Sequence, residues 1–206
     1  MLKIWGRTSS VNVQKVMWAV AELDLAHERI NAGLHFGGVN EPWYRAMNPN
    51  GRVPVIDDDG FVLWESNAIV RYLASKHGAG TLMPADLRVR AAGDRWMDWA
   101  TTTMAPVMTP LFWGLIRTPV DKRNPEAIEA ERVKMEDVMK ILDAHLAKNA
   151  YLAGDAFSMG DIPVGCFTHR WYALPIPHGE HAHLARWYRS LGERPGYRAH
   201  VMLPLE

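Results

Sequence analysis

From Asp86 onward the sequence offers no convincing strand, whereas residues 1–77 alternate short strands and helices. Leu2–Trp5 is a short apolar run ending at Gly6 and reads as a strand. Val13, Val16, Met17, Val20 and Ala21 recur at helical spacing, which predicts a helix over about 12–23. A second strand follows over His27–Asn31, then a short helix or turn over Glu41–Ala46. Val53–Ile56 and Phe61–Trp64 flank Asp58-Asp59-Gly60 and read as a hairpin. Ile69, Val70, Tyr72 and Leu73 then share the face of a helix over Glu65–His77. The order βαβ then ββα is that of a small α/β unit.

His77-Gly-Ala-Gly80 stops that helix, and Leu82-Met-Pro84 reads as part of a linker. The second half is expected to be a helical bundle. One long helix spans Asp86–Leu115, bent near Pro106 and Pro110, and another spans Pro125–Lys148. Shorter helices cover 158–173 and 182–192. The expected division is therefore 1–77, a linker at 78–86, and 87–206.

Charge narrows the function classes. Lys plus Arg and Asp plus Glu both number 23, so there is no basic excess to draw nucleic acid or an anionic membrane surface. No apolar run approaches the roughly 20 residues of a membrane span. The N-terminal residues lack the pattern of a secretory leader. The single cysteine, Cys166, leaves no intramolecular disulfide and no Cys-x-x-Cys pair. A cytoplasmic location, with neither membrane nor nucleic acid as a partner, is expected.

Four local patterns carry chemistry. Thr8-Ser9-Ser10-Val11-Asn12 places hydroxyls where a helix begins and its free N–H groups favour an anion, a setting suited to a thiolate. The same pattern is met by an ordinary cap from Ser10 or Asn12. Val53-Pro54 enters a strand; a cis bond would leave the Val53 backbone free to pair with a peptide-like ligand. Only about 5–6% of X–Pro bonds are cis, so the residues alone point to a trans proline at a strand start. Glu65-Ser66 opens a helix and can grip a carboxylate and an ammonium, or simply cap. Ser158-Met-Gly-Asp161, framed by Phe157 and Ile162, reads as a structural capping box and hydrophobic staple. The loop residues His178, Glu180, His181 and His183 lack a placed fourth ligand, and no metal is expected. Trp96, Trp99, Met104, Met108, Phe112 and Trp113 form a stripe along the long helix, which is either core or the wall of a pocket.

Taken in order, Ser10-x-Asn12, Asn48-Pro-Asn-Gly51-Arg-Val53-Pro54, Glu65-Ser66 and Ser158-x-x-Asp161 resemble the glutathione S-transferase superfamily over essentially the whole chain. The resemblance is nearest to its bacterial, theta-like, serine-using branch. It implies a thioredoxin-like N-terminal domain and an all-helical C-terminal domain, glutathione as co-substrate, and a homodimer. It implies Ser10 as the catalytic hydroxyl, a cis Pro54, and Val53 pairing with the cysteinyl unit. Glu65 and Ser66 would hold the γ-glutamyl end, with Ser9 and Asn12 nearby. Either Asn40 or Arg52 would meet the glycyl carboxylate. Trp99, Met104, Met108, Phe112 and Trp113 would line the pocket for a hydrophobic electrophile.

The implied activity is conjugation of the glutathione thiolate to such electrophiles. The alternatives are a glutathione-dependent peroxidase, dehalogenase or isomerase on the same scaffold, or a non-enzymatic binding or assembly module. Val11 stands after Ser10 where zeta-type isomerases carry cysteine, and no cysteine lies near the first helix as in omega-, beta- or glutaredoxin-like relatives. Both departures weaken isomerase and thiol–disulfide roles.

Overall fold

The computed structural model describes all 206 residues, Met1–Glu206. Four strands, β1 (Leu2–Trp5), β2 (His27–Ile30), β3 (Val55–Asp58) and β4 (Phe61–Trp64), form one sheet in the order β2-β1-β3-β4. β1 runs parallel to β2 and antiparallel to β3, and β3–β4 is the expected hairpin. The parallel pair needs a crossover, supplied by α1 (Val11–Glu22). α2 (Pro42–Met47) and α3 (Ser66–His77) complete this half. One sheet face buries Ile4 and Ile56 against Val13, Val16, Met17 and Val20 of α1 and Ile69 and Leu73 of α3. The other covers Ala32, Tyr44 and Val55.

The remaining chain is helical: α4 (Leu87–Trp99), α5 (Ala105–Phe112), α6 (Pro125–Leu146), α7 (Asp161–Ala173), α8 (Ala182–Gly192) and α9 (Pro195–His200). The expected single helix over 86–115 is interrupted by two π-helical turns, Ala100–Met104 and Trp113–Arg117. The first precedes Pro106, and Pro110 lies inside α5. Prolines cannot donate to the helical ladder, and the wider π spacing accommodates the missing bonds. β3 begins at Val55, so Val53-Pro54 precedes the strand, and α9 had no sequence signal. No helix is long and apolar enough to cross a membrane.

α1 is shared by both cores. Every residue from Val13 to Val20 is buried. Its sheet side belongs to the N-terminal core, while Trp18 and Ala19 belong to the helical one, where α7 and α9 pack against α1. Gly165 of α7 permits the approach, since a Cβ there would stand 2.9 Å from the Trp18 ring. Asp161 fixes the start of α7: it is buried and accepts from the amides of Leu152 and Ser158 and from Trp187 Nε1, each at 3.0 Å. Burial pushes its carboxyl up to about 6 against those bonds. The expected capping box forms through its reciprocal half, Asp161 accepting from the Ser158 amide, while the Ser158 hydroxyl caps the Gly160 amide at 3.3 Å, one residue short of the Asp161 amide.

Lys15 lies on the shared helix with only 3% of its surface exposed and no carboxylate partner, donating to Asn12 Oδ1 at 2.9 Å and standing 4.8 Å over the Phe167 ring. Burial, reinforced by the Arg170 charge, pulls its ammonium down to about 8. Between that value and the ordinary 10.5 the unfolded chain holds a proton that the folded chain has released. Lys15 therefore makes folding stability rise with pH across that window, by up to about 3 kcal/mol in all. Urea unfolding of wild type and Lys15→Met at pH 8 and pH 10 reads this. We expect wild type to gain roughly 1–2 kcal/mol on the variant over that step. A pH-independent difference would mean that Lys15 titrates as a solvated lysine.

Candidate functional site

A cleft runs between the sheet half and the helical half, made of three adjoining chambers of about 170, 340 and 80 Å³. Asn12 lines all three, and Ser10 lines the first two. Both stand where β1 delivers the chain into α1.

Ser10 is the residue preceding α1, yet its side chain makes no capping bond, and no protein hydrogen bond engages its hydroxyl. The ordinary-cap reading therefore fails for Ser10. The amides of Val11, Asn12 and Val13 also lack protein partners, and no acidic residue occupies the first turn of α1. A free hydroxyl and a set of free amides thus meet at the positive end of a buried helix, which favours an anion there. Of the three consecutive hydroxyl residues, Thr8 is exposed and lies off the cleft, while Ser9 and Ser10 line it. The carbonyl of Ser9 accepts from Arg170 Nη2 at 3.0 Å.

Asn12 does not cap either. Its Oδ1 accepts from Lys15 Nζ at 2.9 Å and from Ser66 Oγ at 3.3 Å, which ties the starts of α1 and α3 together. Ser66 is buried, and Glu65 before it is exposed with φ 73°. A left-handed backbone at a non-glycine residue costs about 1–3 kcal/mol and clusters where a side chain must be aimed. Glu65 and Ser66 share the smallest chamber with Asn48, Arg52, Val53 and Pro54.

The Val53–Pro54 bond is cis, contrary to the trans reading of the residues alone and as the family resemblance implied. Neither the amide nor the carbonyl of Val53 is hydrogen-bonded within the protein. The loop before it is pinned through the Arg52 carbonyl, which accepts from Tyr44 Oη and Asn48 Nδ2, both at 2.9 Å. Arg52 lines two chambers. Asn40 is exposed and off the cleft, its Oδ1 accepting from Arg45 Nη2 at 2.8 Å.

On the helical side, Phe112 and Trp113 line the first chamber with Thr109. Three of the expected pocket residues do not. Met104 and Met108 are wholly buried in the helical core, and Trp99 packs edge-on against Trp96 at 5.0 Å. They lie on the inward faces of α4 and α5 and of the π turn between them, so the stripe divides into core and wall. The sequence reading missed Arg7, Leu34, Arg117 and Arg170, which also line the first chamber. Arg7 was within reach, three residues before Ser10. Arg117 and Arg170 enter from distant helices and gave no local signal.

The other expected groups lie elsewhere. Cys166 is buried on α7, where burial pushes its thiol up to about 12, so it offers no nucleophile. His178 bonds the Trp171 carbonyl at 2.7 Å, and His181 meets Glu136 at 2.5 Å.

Models of the glutathione S-transferase N-terminal and C-terminal domains match residues 1–75 and 125–190. The chain is 41% identical to glutathione S-transferase GstB of Escherichia coli over the full length of both. It is 32% identical to glutathione S-transferase 3 of Zea mays, covering 97% of this chain and 93% of that one. Among solved structures it resembles the theta class glutathione S-transferase of Xanthomonas axonopodis pv. citri with glutathione bound. That match has TM-score 0.96 and 46% identity, covering 100% of this chain and 99% of the other. The apo form of that protein matches with TM-score 0.88. With these matches spanning both halves of the fold, the chain belongs to the glutathione S-transferase family.

Proposed function

We propose that this protein conjugates glutathione to small electrophiles, with the tripeptide lying extended from the start of α3, past Val53, to the start of α1. The observation that carries the reading is the unspent Ser10 hydroxyl beside unpartnered helix amides. Ser66 and the first amides of α3 receive the γ-glutamyl carboxylate, and Glu65 meets its ammonium. The free Val53 backbone pairs with the cysteinyl unit as a strand would. Arg52 is our choice for the glycyl carboxylate, because it faces the cleft while Asn40 is engaged by Arg45. The sulfur then lies at Ser10, between Asn12 and the aromatic wall of Phe112 and Trp113.

In the reaction the thiol proton leaves to solvent and the thiolate stays paired with Ser10 Oγ–H. The sulfur electron pair forms the new C–S bond, and the leaving group departs with the electrons of the bond that breaks. A free thiol of pKa near 8.5 is only about 3% ionised at pH 7. A charge-assisted bond from Ser10 contributes roughly 1.5–3 kcal/mol and the α1 terminus about 0.3–1, enough to lower the pKa by about two units. The lower basicity makes the sulfur less nucleophilic, so the net gain is only about threefold. Placement of the electrophile against the helical wall must supply much of any larger acceleration.

Ser10→Ala is expected to move the ionisation seen in the pH–rate profile up by about one to two units, with glutathione affinity within about threefold of wild type. An unmoved profile would assign the thiolate to the α1 amides alone. Ser66→Ala is expected to weaken glutathione binding by about tenfold, with kcat little altered. Calorimetry showing wild-type affinity would remove Ser66 from the site. We also infer a homodimer, through a surface that includes the exposed Phe61 and Val62 on edge strand β4. Sedimentation velocity should give about twice the chain mass of 23.3 kDa, and a monomer at micromolar concentration would overturn this.

A further inference from the structure

The first chamber has a composition that a merely hydrophobic pocket does not need. Beside Phe112 and Trp113 it is lined by Arg7, Arg117 and Arg170. Arg170 is 8% exposed, and its guanidinium stands 4.1 Å over the Phe112 ring, with that of Arg117 at 5.7 Å from the same ring. None of the three takes part in an ion pair with any carboxylate of the protein. The Nε atoms of Arg7 and Arg117 are buried without a hydrogen-bond partner. The guanidinium of Arg7 is held close to Gly33, where a Cβ would stand 2.9 Å from Arg7 Nη1.

Uncompensated cations that converge on a cavity are unfavourable unless something negative enters it. Their mutual influence is visible in the charges themselves. Burial, then Arg117, lowers the Arg7 guanidinium from its ordinary value. Burial takes Arg170 down to about 10, with Arg117 and Arg7 adding to the effect. Of the neighbouring acids, Glu206 acts on Arg7 from beyond ion-pair distance, and the Cys166 thiol stays neutral. The chamber does not include Arg52, Val53, Glu65 or Ser66, and Arg117 and Arg170 line neither of the other two chambers. Arg7 also borders the second chamber with Arg52 and Val53 and so stands between the anion subsite and glutathione.

We propose that the first chamber is a subsite for an anionic group on the electrophile, a carboxylate or another oxyanion carried on a small flat frame. Arg7, Arg117 and Arg170 hold the anion, the frame rests on Phe112 and Trp113, and the carbon under attack faces Ser10. Guanidinium forks suit this task because they pair with planar oxyanions through two bonds at once. The assignment rests on the transferase reading for the word electrophile, but the anion site itself can be tested without turnover.

The test is calorimetric titration of the full chain with two unreactive probes of one shape, 3-nitrobenzoate and 3-nitrobenzamide, with and without saturating glutathione. We expect the carboxylate to bind at least tenfold more tightly than the amide, and to do so with glutathione present. Arg117→Gln should bring that ratio close to one. Should that variant fail to fold, Arg7→Gln is read in the same way. Equal affinities, tighter binding of the amide, or no binding of either probe at millimolar concentration would overturn the anion site. Displacement of the carboxylate by glutathione would overturn it too, by assigning the arginines to glutathione. Failure of glutathione itself to bind would count against the transferase reading and leave the comparison of the two probes intact.

Discussion

The double burial of α1 is the constraint on which the rest of the molecule depends. One side of the helix closes the sheet core and the other closes the helical core, so neither half can be completed without it. A helix buried all round cannot be recentred by solvent, and its N-terminus is fixed to within the tolerance of close packing. Ser10 inherits that precision although it sits in a loop. The free amides at the same point have no protein partner because the helix begins in a cleft rather than against another element.

Polar groups around that point form a layered arrangement. Lys15, buried one turn in, holds Asn12, and Asn12 receives Ser66 from the start of α3. Two helix N-termini are thereby joined through one amide side chain. A buried lysine without a carboxylate is a poor contributor to stability, and on the proposed function its position behind the start of α1 would serve as a source of positive field. The arginines of the first chamber extend the same field across the cleft. Arginines line the cleft from both sides, Arg7 and Arg52 from the sheet half and Arg117 and Arg170 from the helical half, in a chain whose formal net charge is zero.

Much of this was legible from the residues. The succession of strands and helices along the N-terminal half followed from apolar runs separated by glycine- and aspartate-rich turns, and the switch to helix after Pro84 was plain. The positions of Ser10, Val53-Pro54 and Glu65-Ser66 carried the family resemblance because their spacing is tied to β1, β3 and α3. The stripe from Trp96 to Trp113 was harder. Helical periodicity shows that a face is apolar, but not that the core stands opposite Met104 and Met108 and the cleft opposite Phe112 and Trp113.

The sequence by itself determined the two-part fold, the family, and the set of backbone and hydroxyl groups near the start of each helix, because these depend on local spacing and turn chemistry. The cis Val53–Pro54 bond came from the family resemblance and not from the local residues, and only the tertiary structure decided that Ser10 is not used as a cap and that Met104 and Met108 are core. It alone brought Arg7, Arg117 and Arg170 to one chamber. Each of these depends on what stands opposite a residue in space, across separations of up to 163 positions between Arg7 and Arg170, and no local pattern encodes that.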